Sequence, residues 1–230
     1  MPAFGLGLPA SVLAADPSDP VSSLERIVNG SQDNAYQVVY NVTANGPSTE
    51  KSVEYTETYY RKGDWQRIDI VDKRKAGQSI STRVYFNRKD ADFTACTQAP
   101  GQEWDCHRLT GSGALQVADS SMFFIFDPAS GFVKALVEDP SSRGAGLEQR
   151  ENREVAGQIG HTYVLYAAPP QQGYVEFVVT DDGLLLSIDS RAGNMSQDAA
   201  VEAVEIRGEV PDDAFKPPAM PSDAMSLSSL

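Results

Sequence analysis

Apolar and polar side chains alternate with a period of two through most of residues 36–109 and 148–209. Tyr36, Val38, Tyr40 and Val42 run up to Asn45-Gly46, and Val53–Arg61 and Trp65–Val71 flank Lys62-Gly63-Asp64. Ser79–Asn87, Asp92–Thr97 and Glu103–Leu109 follow, the last two across Pro100-Gly101. The pattern resumes in Glu148–Val155, His161–Tyr166, Gly173–Thr180, Gly183–Arg191 and Gln197–Glu209, with Asp181-Asp182-Gly183 as a further turn. Period-two runs joined by short Gly and Asn turns predict antiparallel hairpins. No helical segment alternates with the strands, which argues against a parallel sheet. About ten or eleven consecutive antiparallel strands cannot lie flat, so the sheet must curl, and its concave face needs a cover.

Two segments break the alternation and supply that cover. Asp19 is placed to cap a helix that begins at Pro20 and stops at Gly30, with Val21, Leu24, Ile27 and Val28 on one face. Midway, "SSMFFIFDPASGFVKALVED" is the most apolar stretch, and Pro128 and Gly131 divide it into two short helices or turns. The expected fold is mainly β (α+β): a curved antiparallel sheet forming an unclosed half-barrel. The N-terminal helix and the central apolar insertion cover its concave face. Residues 16–219 form the single domain, and 220–230 a flexible tail rich in Ser and Pro.

A net charge of −13 repels nucleic-acid phosphate and anionic headgroups. The first fifteen residues resemble the remnant of a secretory signal, an apolar run ending Val12-Leu13-Ala14-Ala15, although a basic start is missing. No later stretch is long and apolar enough to span a membrane, and no cysteine stands at the cleavage site to carry a lipid. The expected location is exported: periplasmic, cell-surface or extracellular.

Export bears on the only two cysteines, Cys96 and Cys106, which face each other across the Pro100-Gly101 turn. In an oxidising compartment they pair as a structural disulfide; free structural thiols are the alternative. Redox chemistry would favour Cys-x-x-Cys, and a metal would need more ligands.

Other signals of chemistry are sparse. His107 and His161 belong to no cluster at metal-ligand spacing, and no metal or cofactor is expected. Gly111-Ser112-Gly113 lacks the nucleophile-elbow pattern and reads as a flexible turn, and "GAG" at 144–146 lacks the lysine of a phosphate loop. Asp181-Asp182 and Asp212-Asp213 suit turns. Glu57, between Tyr55 and Tyr59, is the one carboxylate whose strand position could turn it inward, where its pKa would rise; the commoner place for such a residue, and the one expected here, is a solvated sheet rim. An enzyme is not expected.

The order of helix, meander, apolar insertion and second meander is similar to that of the LolA/LolB-like lipoprotein-localisation-factor superfamily. "ADFTACTQAPGQEWDCHRL", "REVAGQIGHTYVLY", "FVVTDDGLLLSID" and "VPDDAFKPPA" more specifically resemble poorly characterised exported bacterial relatives. Such relatives often carry a second cysteine pair; Tyr163 and Phe177 or a neighbour stand in its place here. The resemblance implies a half-barrel cavity that sequesters a hydrophobic ligand such as a lipid or a lipoprotein acyl chain. The residues expected to line it are Tyr36, Tyr40, Tyr55 and Tyr59 on the sheet, with Met122, Phe123, Phe124, Phe126 and Phe132 on the insertion. Opening would call on Pro128, Gly131 and the "RGAG" connection. The alternative is a non-catalytic envelope interaction or sensory module with a filled interior and a protein partner. A monomer is expected.

Overall fold

The computed structural model describes residues 19–31, 34–45, 53–72, 80–119, 122–127, 131–168, 173–192 and 198–223. The signal-like segment 1–15 therefore lies outside the described residues. Helix α1 spans Pro20–Gly30, and the Asp19 carboxylate accepts from the Ser22 amide at 3.0 Å, the capping bond expected from the sequence. Six strands follow: β1 Ala35–Asn45, β2 Val53–Lys62, β3 Trp65–Asp72, β4 Ser81–Asn87, β5 Asp92–Gln98 and β6 Asp105–Thr110. Three helices come next: α2 Ser112–Asp119, α3 Met122–Phe126 and α4 Phe132–Glu138. The second set of strands is β7 Gly146–Val155, β8 Gln158–Tyr166, β9 Gly173–Val179, β10 Leu185–Ala192 and β11 Asp198–Arg207. A two-residue strand, β12 at Ser222–Asp223, ends the described chain.

All the strands join one sheet in the order β12-β6-β5-β4-β3-β2-β1-β11-β10-β9-β8-β7. Every pairing is antiparallel except β12 on β6. The sheet does not close: β7 forms one edge and β12 the other. This is the unclosed half-barrel that the alternation predicts. The order also decides where the insertion runs. Helices α2, α3 and α4, which lie in the chain between β6 near one edge and β7 at the other, pack on the concave face.

That face carries the even-numbered side chains of β1: Tyr36, Val38, Tyr40 and Val42 are all buried, while Asn41 is exposed. Leu24, Ile27 and Val28 of α1, Ala114 and Ala118 of α2, Phe123 and Phe126 of α3, and Val133 and Leu136 of α4 pack into one core with them. Two details differ from expectation. The Gly111-Ser112-Gly113 turn is the start of α2, anchored by fully buried Ala114 and Ala118. Within the expected tail, Ser222–Asp223 pairs with His107 and Arg108.

The convex face has a cover of its own. Val210, Ala214 and Phe215 pack with Tyr60, and Ala219 packs on the buried Cys96–Cys106 bond beside Tyr85 and Trp104. Beneath this strap Arg67 lies over the Tyr60 ring at 4.6 Å and the Tyr85 ring at 5.5 Å, and donates to the Ala214 carbonyl at 2.6 Å. The cysteines are directly opposed residues of β5 and β6, and the disulfide forms as the hairpin predicts. Gly160 is fixed by contact: a Cβ there would lie 2.7 Å from Val178 Cγ1 and 2.9 Å from Leu186 Cδ1.

Candidate functional site: an aromatic cradle on the concave face

The inward positions of β1 and β2 build a cradle of tyrosines. Tyr36 and Tyr59 rings lie 5.9 Å apart, and Phe126 from α3 stacks on Tyr40 at 4.8 Å and on Tyr59 at 5.3 Å. Phe123, one turn earlier, meets Phe86 at 5.7 Å and the Phe93 ring edge-on at 6.4 Å. Tyr36, Tyr40, Tyr59, Phe123 and Phe126 are each no more than 4% exposed. The structure thus brings five of the expected lining residues into one cluster. Tyr55 packs against the same core and is half-buried. Phe132 packs against the same core from α4, edge-on to Phe177 at 5.2 Å. The side chains of Met122 and Phe124 lie outside those described. Tyr163 and Phe177, expected at the places of a second cysteine pair, are cross-strand partners stacked at 5.3 Å.

A buried polar node, absent from the sequence reading, fastens α3 to the sheet. Asp127 is 1% exposed and follows Phe126 directly. Arg61 Nη1 meets its Oδ1 at 3.0 Å, Gln66 Nε2 donates to its Oδ2 at 2.8 Å, and Arg88 Nε lies 3.5 Å from that oxygen. The Tyr59 hydroxyl donates to Gln66 Oε1 at 3.0 Å, joining the node to the cradle. A usable signal existed in the sequence: Tyr55, Glu57, Tyr59 and Arg61 share one face of β2, so an inward Glu57 requires an inward Arg61, which in turn needs an acid.

Glu57 does turn inward and is 1% exposed. Burial pushes its carboxyl up to about 7, opposed by a hydrogen bond from Tyr55. Its Oε2 has no hydrogen-bond partner among the described residues. Across the strands it pairs with Tyr40 and Ile70. Burial likewise holds the hydroxyls of Tyr36, Tyr40 and Tyr59 above the ordinary tyrosine range, so they stay protonated at neutral pH. Tyr40 donates to the Leu185 carbonyl at 2.6 Å, and Tyr163 to Ser23 Oγ of α1 at 2.8 Å.

The segment leaving the cover also has a tight passage. Gly144 has a φ of +57°, and a Cβ there would collide with the Tyr166 carbonyl. Arg143 donates to the Leu136 and Val137 carbonyls at 2.7 Å each, closing the end of α4. Grooves of about 720 Å³, beside Gln37 and Arg207, and about 220 Å³, beside Trp65 and Phe215, are lined by residues outside the concave cluster. His107 faces Asp105 and Ser222, whereas His161 faces Asn152 and Asp181. Among the described residues no cluster of His, Cys, Asp or Glu could hold a metal, and no helix is long and apolar enough to cross a membrane.

No protein-family model and no curated protein matches the chain. Solved structures do. MucB is 12% identical with a TM-score of 0.43, over 85% of this chain and 62% of its own. A MucA/MucB complex from Pseudomonas aeruginosa is also among the matches. An uncharacterised conserved protein of Thermus thermophilus is 10% identical with a TM-score of 0.46, over 84% of this chain and 89% of its own. The LolA superfamily protein NE2245 of Nitrosomonas europaea is 11% identical with a TM-score of 0.40, over 85% of this chain and 96% of its own. This chain therefore spans less than two thirds of MucB. The LolA superfamily, which the sequence resembles, is thus represented among these structures.

Proposed function

We propose that this chain is an exported, non-catalytic protein that binds or carries a hydrophobic ligand, a lipid or a lipoprotein acyl chain, by sequestering it under α2–α4. The observation that carries this reading is the position of Phe126, stacked between Tyr40 and Tyr59 in the cradle. In this arrangement the protein's own ring occupies the place a ligand would take. Withdrawal of α3 would empty it, with Gly131 and residues 143–146 absorbing the backbone change.

The energetics bound the ligand. Parting Asp127 from Arg61 costs about 3–5 kcal/mol. Uncovering the two phenylalanines costs roughly 1.5–3 kcal/mol each. At about 0.8 kcal/mol per methylene, an apolar chain of roughly ten carbons is needed to offset the opening. Long-chain lipids meet that requirement and small solutes do not.

A second reading has an observation in its favour. The cradle residues are fully packed, as in an envelope interaction module whose interior is filled and whose partner is another protein. Organic extraction of protein purified from its native-type envelope, followed by mass spectrometry, separates the two. A stoichiometric lipid, lost in a folded Phe126→Asn variant, supports the carrier. An empty extract together with failure to bind hydrophobic probes overturns it and leaves the interaction module.

A further inference from the structure

Most buried polar groups around the cradle have their partners. Asp127 takes Arg61 and Gln66, Tyr59 takes Gln66, and Tyr40 takes the Leu185 carbonyl. Glu57 is met only in part: Tyr55 bonds to its carboxyl, but its Oε2 is buried and, like the Tyr36 hydroxyl, has no hydrogen-bond partner among the described residues. Such a group normally carries a substantial desolvation penalty, so its presence in an aromatic core calls for an explanation. Position supplies one. Glu57 lies directly across from Tyr40 and two residues before Tyr59, the two rings that hold Phe126. A group in the place of Phe126 lies against Tyr40, whose cross-strand partner is Glu57.

We infer that Glu57 selects the ligand: the bound molecule is amphipathic, with an apolar chain in the place of Phe126 and an uncharged hydroxyl at its head, bonded to Glu57 Oε2. This rests on the hydrophobic-ligand reading above. A hydroxyl suits the position because it donates to a carboxylate and accepts from a carboxylic acid, so it satisfies Glu57 in either protonation state. A plain hydrocarbon leaves Oε2 orphaned, and a head group that only accepts cannot satisfy an ionised Glu57. Glu57 is therefore a specificity residue, acting through direct contact with the ligand head.

The test is displacement of N-phenyl-1-naphthylamine from the whole protein by 1-tetradecanol and by its methyl ether, two probes that differ in one donor. At about pH 8.5, where Glu57 is ionised and can only accept, the alcohol is expected to displace the dye at about tenfold lower concentration, the effect of one buried hydrogen bond. Glu57→Leu, checked for folding by circular dichroism, should bring the two probes within about twofold while both still bind. Glu57→Gln, whose amide can donate to the ether as well as accept from the alcohol, should narrow the gap between the probes while both still bind. Equal displacement by both probes in the unaltered protein overturns the role of Glu57 and leaves the hydrophobic-ligand reading standing. Failure of dye and both probes to bind overturns that reading, and the inference falls with it. If Glu57→Leu does not fold, the probe pair on the unaltered protein and on Glu57→Gln still decides.

Discussion

Replacing Glu57 by Gln should alter the pH dependence of folding in one calculable way. Burial raises the folded-state carboxyl from about 4.5 to about 7. The folded protein therefore holds a proton that the unfolded chain releases between these values. Its stabilising effect is full below about pH 4.5, declines by about 1.4 kcal/mol for each pH unit, and is gone above about pH 7. The whole window amounts to about 3 kcal/mol, a large share of the stability of a domain this size. Glutamine does not titrate, so Glu57→Gln lacks this decline. The groups facing Glu57 are Tyr40 from β1, Tyr55 and Tyr59 from β2, and, next along the same face, Arg61 with its partner Asp127. All are present in both proteins, so their contributions cancel in the difference. Urea unfolding at pH 4.5, 5.5, 6.5 and 8 gives that difference directly. It should move in favour of the variant by about 3 kcal/mol from the lowest to the highest pH. A difference constant to within about 0.5 kcal/mol would refute the claim that Glu57 is buried and protonated in the folded state.

Three further perturbations address the lid and the hairpin. Asp127→Asn leaves the Arg61 charge buried without its counter-ion, and urea unfolding should show a loss of about 3–5 kcal/mol; a loss under about 1 kcal/mol would mean the node does not fasten α3. Phe126→Ala removes the stacked ring and should destabilise by roughly 3–5 kcal/mol in the same assay, whereas near-neutrality would mean the cradle collapses freely onto the space. Replacing both cysteines by alanine frees a loop whose ends are 10 residues apart and should lower stability by roughly 3 kcal/mol. In the intact protein, Cys96 at 0% and Cys106 at 3% exposure should resist reduction until denaturant is added, as thiol labelling will report.

Much of this fold was legible residue by residue. Tyr36, Val38, Tyr40 and Val42 face the core because successive side chains of a strand point to opposite faces, a rule that needs no tertiary information. Asp19 and Pro20 mark the start of α1 for an equally local reason. Cys96 and Cys106 could be paired because a short hairpin sets its own register. Helix α2 was not legible. Gly111 just before it and Gly113 within it signal a turn, and the segment is helical because Ala114 and Ala118 find the inner face of the sheet. Asp127 was missed because an acid before Pro128 reads as the start of a turn, and nothing local indicates that it ends up buried beside Arg61.

The sequence by itself determined the elements: the strands, the first helix, the disulfide hairpin, and a sheet that must curl and be covered. Tertiary structure decided what those elements meet. Tyr40 pairs with Ala203, and that joining of β1 to β11 sets β6 next to one edge strand and β7 at the other edge, so that helices α2–α4 between them pack on the concave face. The same assembly puts Phe126 between Tyr40 and Tyr59 and leaves Glu57 Oε2, across from Tyr40, without a hydrogen-bond partner among the described residues. Local periodicity follows from backbone sterics, which act within a few residues. Partnership between distant segments follows from summed burial, which is non-directional and selects an arrangement only when the whole core is present.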